Sequence, residues 1–224
     1  MNNSKDPSSL PLQRFLAARP KLGAEESCEF CGAAVSENHA HLVNIEKRGL
    51  LCVCRPCYLL FTHKGAAGGN YKAVPERYLY LPRMVLNEAQ WDELQIPVGR
   101  AFFFFNSSLE RMLAFYPSPA GATESLLPLE LWGEWVKRNA ALASISADVE
   151  ALLVQNVKRS GNFECFIVPI DACYELVGRI RRCWKGFDGG EEAWREINDF
   201  FARLRQRSEE FTTAQENSYE PTEL

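Results

Sequence analysis

Four cysteines stand in two pairs, Cys28-Glu29-Phe30-Cys31 and Cys54-Arg55-Pro56-Cys57, and they are the residues of this chain best spaced to do chemistry. Two thiolates separated by two residues can grip one ion, and Gly32 permits the backbone turn beneath the first pair. Two such pairs close a tetrahedral four-sulfur site suited to Zn²⁺ or a single iron. The metal ligands expected are therefore Cys28, Cys31, Cys54 and Cys57. A rubredoxin-like iron site would carry glycine after the last cysteine, where this chain has Tyr58, so Zn²⁺ is the expected ion and iron the alternative. Such a site has no open position for a substrate, and its default role is to supply folding energy to a small unit.

Cys52 complicates the choice. In a strand it shares a face with Cys54, since side chains alternate with period two, and either sulfur can in principle reach the ion. The two-residue spacing favours Cys54 and leaves Cys52 as a neighbouring thiol. His39, His41 and His63 are the only histidines. His39 and His41 can share a strand face and serve as ligand or general base. With four sulfurs already filling the coordination sphere, they are expected as exposed or hydrogen-bonded neighbours of the site. Cys165, Cys173 and Cys183 lie far away in apolar context and read as buried small hydrophobes.

The elements that must hold this cluster follow from the flanking sequence. Arg48 to Cys54 reads as a strand entering the second pair, and Cys57-Tyr-Leu-Leu-Phe as a helix start. Knuckle, hairpin and helix in that order describe a treble clef or zinc-ribbon-like unit, assigned to residues 27–83. It carries seven basic and four acidic side chains, a mildly basic +3. Residues 1–26 read as a flexible arm.

The body, 84–207, mixes strands and helices. Asn87 is placed to start a helix over EAQWDEL. AFFFF (101–105), a turn and RMLAFY (111–116) form a hairpin, and the four phenylalanines require cover on both faces. Residues 127–142 carry Leu129, Leu131, Trp132, Trp135 and Val136 at helical spacing. Residues 147–157 are ambiguous between helix and strand, whereas ECFIVPI (164–170) is a strand with Pro169 at its end or on an edge. Asp171 is placed to cap a helix that buries Cys173, Leu176, Val177, Ile180, Trp184 and Phe187. A glycine turn at 186–190 leads to a last helix burying Trp194, Ile197, Phe201 and Leu204, antiparallel to the one before. The acidic tail, 208–224, reads as disordered. The expected class is α+β.

Charge and composition narrow the function. The 224 residues hold 25 Lys and Arg against 29 Asp and Glu, a net −4, so no global positive field recruits nucleic acid. No run reaches the roughly 18 apolar residues of a membrane span, and the N-terminus lacks the apolar core of a signal peptide. Reduced clustered cysteines then fit the cytoplasm. No phosphate loop, nucleophile elbow or HExxH motif is present.

Two resemblances add to this reading. LLCVCRPCYLLFTHK resembles the second knuckle of the HNH-type treble-clef nucleases, with His41 roughly where their metal-activating histidine lies and Ala40 where they carry an acidic residue. Over most of the chain, CEFCG, CRPCYLLFT, GAAGGNYKAVPERYL, VPIDACYELVGRIRRCWKGFDGGEEAW and FFARLR resemble an uncharacterised bacterial family. That family is found in actinobacterial-type nickel–iron hydrogenase gene clusters. This resemblance implies a hydrogenase-associated accessory protein whose partner is a protein: hydrogenase subunits or maturation factors. With the expected zinc site closed and no catalytic constellation outside the cysteines, the chain is expected to be a zinc-binding accessory protein and not an enzyme. The alternatives are a rubredoxin-like electron carrier for the same complex and a degenerate HNH-like nucleic-acid binder.

Overall fold

The computed structural model describes residues 26–84, 86–125, 129–157, 162–186 and 188–212, with the side chains of 129–131 left undescribed. All of the expected arm (residues 1–26) except Glu26, together with Phe187 and the last twelve residues, lies outside that set. The fold is α+β. A small antiparallel sheet is built from β1 (Ala40–Asn44), β2 (Gly49–Val53) and β3 (Tyr71–Ala73), in the order β2-β1-β3. Helix α1 (Arg55–Thr62) follows β2 directly.

The larger sheet has seven strands: β4 (Leu79–Tyr80), β5 (Arg100–Asn106), β6 (Arg111–Ser118), β7 (Gly121–Ser125), β8 (Glu150–Val157), β9 (Asn162–Pro169) and β10 (Glu209–Glu210). Their order is β10-β4-β9-β8-β5-β6-β7, antiparallel throughout except for the β10–β4 pair. Among the described residues, four α-helices belong to this body: α2 (Glu88–Glu93), α3 (Leu129–Arg138), α4 (Ile170–Cys183) and α5 (Gly190–Arg207).

Helices cover both faces of the large sheet, which explains the run of phenylalanines in β5. Phe102 and Phe104 point to one face and pack with Leu176, Val177, Ile180 and Phe201 of α4 and α5. Phe103 points to the other, beside Trp132 and Trp135 of α3 and Trp91 of α2. Phe102 and Phe103 are fully buried, each worth roughly 1.5–3 kcal/mol of burial. The ambiguous stretch 147–157 is a turn over 147–149 followed by strand β8, which is buried on both sides over its first half because it pairs with β5 and β9. Pro169 closes β9 at its end, where its missing N–H costs no ladder bond.

Helix α2 begins with a reciprocal cap. Asn87 Oδ1 accepts from the Gln90 N–H at 2.9 Å, and Gln90 Oε1 accepts from the Asn87 N–H at 3.1 Å.

Five local expectations are corrected. Asp171 does not cap α4: the cap position is Pro169, without a side-chain bond, and the Asp171 carboxylate turns to His41 instead. The helix expected over 127–142 ends at Arg138 and gives way to a 3-10 turn over Ala140–Ser144, because the Asn139 side chain bonds back to the Trp135 carbonyl at 2.9 Å. Trp194 is 44 % exposed, its indole N–H donated to the Asp188 carbonyl and its ring under the Arg100 guanidinium; Phe200 occupies the buried place on α5. Trp184 is only half-buried. The tail does not begin at Ser208. Glu209 and Phe211 donate their N–H groups to Tyr78 and Tyr80 carbonyls, and Phe211 enters the core at 5 % exposure.

The small sheet rests on the α4 face of the body. Val43 of β1 and Val74 belong to the same apolar cluster as Phe102 and α4. Two ion pairs span the contact: Lys72 Nζ to Asp148 Oδ2 at 2.7 Å, and Arg77 to Glu150, whose carboxylate is only 1 % exposed. Arg77 grips that carboxylate with both Nε and Nη2, at 2.8 and 2.6 Å.

Candidate metal centre

Each cysteine pair sits on a turn that its own sequence makes. In the first, the Gly32 N–H donates to the Cys28 carbonyl at 2.7 Å, and Gly32 takes the left-handed φ of 74° that a side chain would resist. The Cys28 N–H reaches the Ala33 carbonyl at 2.8 Å and closes the knuckle. In the second, Cys54 is the cap residue of α1 and Pro56 occupies its first turn, where a missing N–H is harmless. Glu29 binds the two halves together: its N–H donates to the Cys52 carbonyl and its Oε1 accepts from the Cys52 N–H, both at 2.9 Å.

The result brings Cys28, Cys31, Cys54 and Cys57 together, with their four sulfurs all within 4.8 Å of one another. The Cys31 and Cys54 sulfurs are 3.6 Å apart. A tetrahedral ion at about 2.3 Å from each sulfur sets neighbouring sulfurs about 3.8 Å apart, so the donor set fits a metal of that size. Cys52 is not in this group; the register places it opposite His41 on β1.

The sulfurs differ in proton affinity. Burial acts to raise Cys28, but backbone N–H groups of Cys54, Cys31 and Phe30 outweigh it and bring the thiol down to about 6. Cys57 goes the other way, pushed up to about 12 by burial and by sharing hydrogen bonds with the other sulfurs. A ready thiolate at Cys28 beside thiols at Cys54 and Cys57 is what a metal-free cluster should present, and metal binding must expel the protons of those two.

A small aromatic group stiffens the site, and the sequence reading did not single it out. Phe30, between the first two cysteines, stacks on Phe61 of α1 with centroids 3.9 Å apart. Tyr71 of β3 meets Phe30 and Phe61 edge-on at 5.2 and 5.4 Å. The only sequence signal for this trio was the position of Phe30 inside a cysteine pair.

The histidines are organised by partners. His41 Nδ1 lies 2.8 Å from Asp171 Oδ2, a contact between residues 130 apart that no local pattern announces. His39 Nδ1 lies 2.8 Å from the Ser36 carbonyl. His63 is exposed and stands apart from both. Cys165 and Cys173 are buried in the two faces of the core, as small hydrophobes, while Cys183 is half-buried. A cleft of ≈ 240 Å³ between the small sheet and the body is lined by Lys47, Arg48, Phe104, Phe115, Glu124 and Asp148, away from the cysteines. Among the described residues no helix is long and apolar enough to cross a membrane.

Comparison with curated proteins and with solved structures found no match. The model of one family, described as a family of unknown function (DUF5947), matches residues 27–208, from the first knuckle to the end of α5, and the chain belongs to that family.

Proposed function

We propose that this chain is a zinc-stapled accessory protein that works by contact with a protein partner. In this reading Cys28, Cys31, Cys54 and Cys57 hold one Zn²⁺ and tie residues 27–83 into a treble-clef unit. Zinc is preferred over iron because Tyr58 replaces the glycine of an iron knuckle. The ion would be structural, since the unit's own apolar cluster has only Cys28, Leu42, Val53 and Cys57 as buried members.

The observation that carries the contact reading is on α1. Leu59 and Leu60, immediately behind the second cysteine pair, are 54 % and 64 % exposed. Paired apolar side chains on a metal-anchored helix offer a rigid contact surface. The resemblance to a family of nickel–iron hydrogenase gene clusters supplies the partner class: hydrogenase subunits or maturation factors in the cytoplasm.

The test is affinity purification of the tagged chain from its native host. Hydrogenase subunits or maturation factors should co-elute with the wild type and be lost with the Leu59→Asp, Leu60→Asp double variant while its zinc content is unchanged. No hydrogenase component above background overturns the partner. Nicking of supercoiled plasmid in the presence of Mg²⁺, Mn²⁺ or Ni²⁺, abolished in His41→Ala, overturns the non-enzymatic reading in favour of a nuclease.

A further inference from the structure

A second group of donors stands beside the four cysteines. One ring nitrogen each of His39 and His41 and the sulfur of Cys52 lie within 4.8 Å of one another. His41 and Cys52 are directly opposed in the β1–β2 ladder, and His39 stands just before β1, two residues from His41. The two imidazole centroids are 4.6 Å apart.

Both rings are already set for a cation. The Ser36 carbonyl can only accept, so His39 donates from Nδ1, and in the neutral ring that leaves Nε2 as the acceptor. The Asp171 carboxylate does the same for His41. A carboxylate or carbonyl on the far nitrogen is the usual support of a metal-bound histidine, fixing the tautomer and raising its basicity.

His39 Nε2 gives independent evidence. The side chain is only 6 % exposed, and this nitrogen has no hydrogen-bond partner. A buried acceptor left without a donor is unfavourable, and nothing in the fold gains from it. Acidic groups lie close: Glu26 is 3.4 Å from His39 Nδ1, and Glu29 is bonded to the Cys52 backbone.

We infer that His39, His41 and Cys52 form a second metal site, for a divalent transition ion of the zinc class, with Asp171 as the positioning residue of His41. Two imidazoles and a thiolate suit such an ion, and tetrahedral geometry sets the donors on the order of 3.5 Å apart. Three protein donors leave one position open, which solvent fills in the isolated chain. The site stands apart from the four-cysteine set, sharing no donor with it.

Metal counting by native mass spectrometry on the full chain loaded with Zn²⁺ tests this, beside cobalt spectra of the same variants. The wild type should hold two ions, and Cys52→Ala and His39→Ala one each. Both variants should keep the four-thiolate cobalt spectrum, which shows that the unit is folded. Cys31→Ser should lose the four-thiolate spectrum instead. One ion in the wild type that survives both Cys52→Ala and His39→Ala overturns the second site and leaves the four-cysteine reading intact. One ion that both variants lose, and Cys31→Ser keeps, sustains the second site and removes the other. A wild type without bound metal overturns both.

Discussion

Asp148 shows how much one side chain can join. It has a left-handed φ of 70° and a carboxylate 4 % exposed. One oxygen receives Lys72 Nζ at 2.7 Å and the Ser107 hydroxyl at 2.6 Å, and the other receives the Ser107 N–H at 2.7 Å. Burial alone would raise its pKa, but Lys72 and Ser107 together hold it below the ordinary carboxylate value. A carboxylate with a depressed folded pKa contributes stability that is complete above the unfolded value near 4 and is lost as pH falls through the folded one. Asp148→Asn should lower stability by about 2 kcal/mol at neutral pH, the scale of a hydrogen bond to a charged group. The gap between variant and wild type should then narrow below about pH 4. Denaturant midpoints measured from neutral pH down to pH 3 check both; a gap constant with pH would mean that the charge is not what matters.

The turn between α4 and α5 is the element whose local chemistry is most exacting. Gly189 has a φ of 90°, and a Cβ built there would lie 3.0 Å from the Trp184 ring. Trp184 in turn donates its indole N–H to the Gly186 carbonyl at 3.1 Å. An alanine at this position meets both a strained backbone and an aromatic ring that would have to move, so Gly189→Ala should destabilise by more than the roughly 1 kcal/mol at most that such a change gains at an unstrained site. Gly178→Ala on α4, where a Cβ has open space, is the control and should be neutral or stabilising. Thermal unfolding of the two variants decides it; equal melting temperatures would remove Trp184 from the explanation.

For the molecule as a whole, the small sheet and the large one are stabilised by different means. The large sheet buries apolar side chains on both faces, while the cysteine-rich unit has a core of four residues and leans on the body through Val43, Val74 and the Lys72–Asp148 pair. If the four cysteines hold the proposed zinc, removing one of them should therefore act locally. With the proposed ion bound, Cys31→Ser should abolish amide protection across 27–73 while β5, β8 and β9 stay protected, since the metal-coupled folding energy of several kcal/mol would be forfeited in that unit alone. Cys183→Ser, at a half-buried site on α4, should leave both patterns nearly unchanged. Equal loss of protection in the two variants would contradict the division.

The sequence by itself determined whatever is governed by a few neighbouring residues. The paired cysteines and Gly32 announce two knuckles because the turn is made within five residues. Asn87 announces the start of α2, though not its reciprocal bond with Gln90, and the β5 phenylalanines announce a strand covered on both faces, because side-chain direction alternates with a fixed period. Only the tertiary structure decided which distant groups meet. His41 finds Asp171 across 130 residues, and the first turn of α4 gives up a cap to supply it. Cys52 faces His41 rather than the four sulfurs because the β1–β2 register, not the spacing of cysteines, sets its partner. Glu209 and Glu210 form a strand despite their composition, because the β4 edge offers them carbonyls and N–H groups to pair with. Local patterns fix backbone geometry; the closing of the sheets fixes which donors then share a volume of a few ångströms.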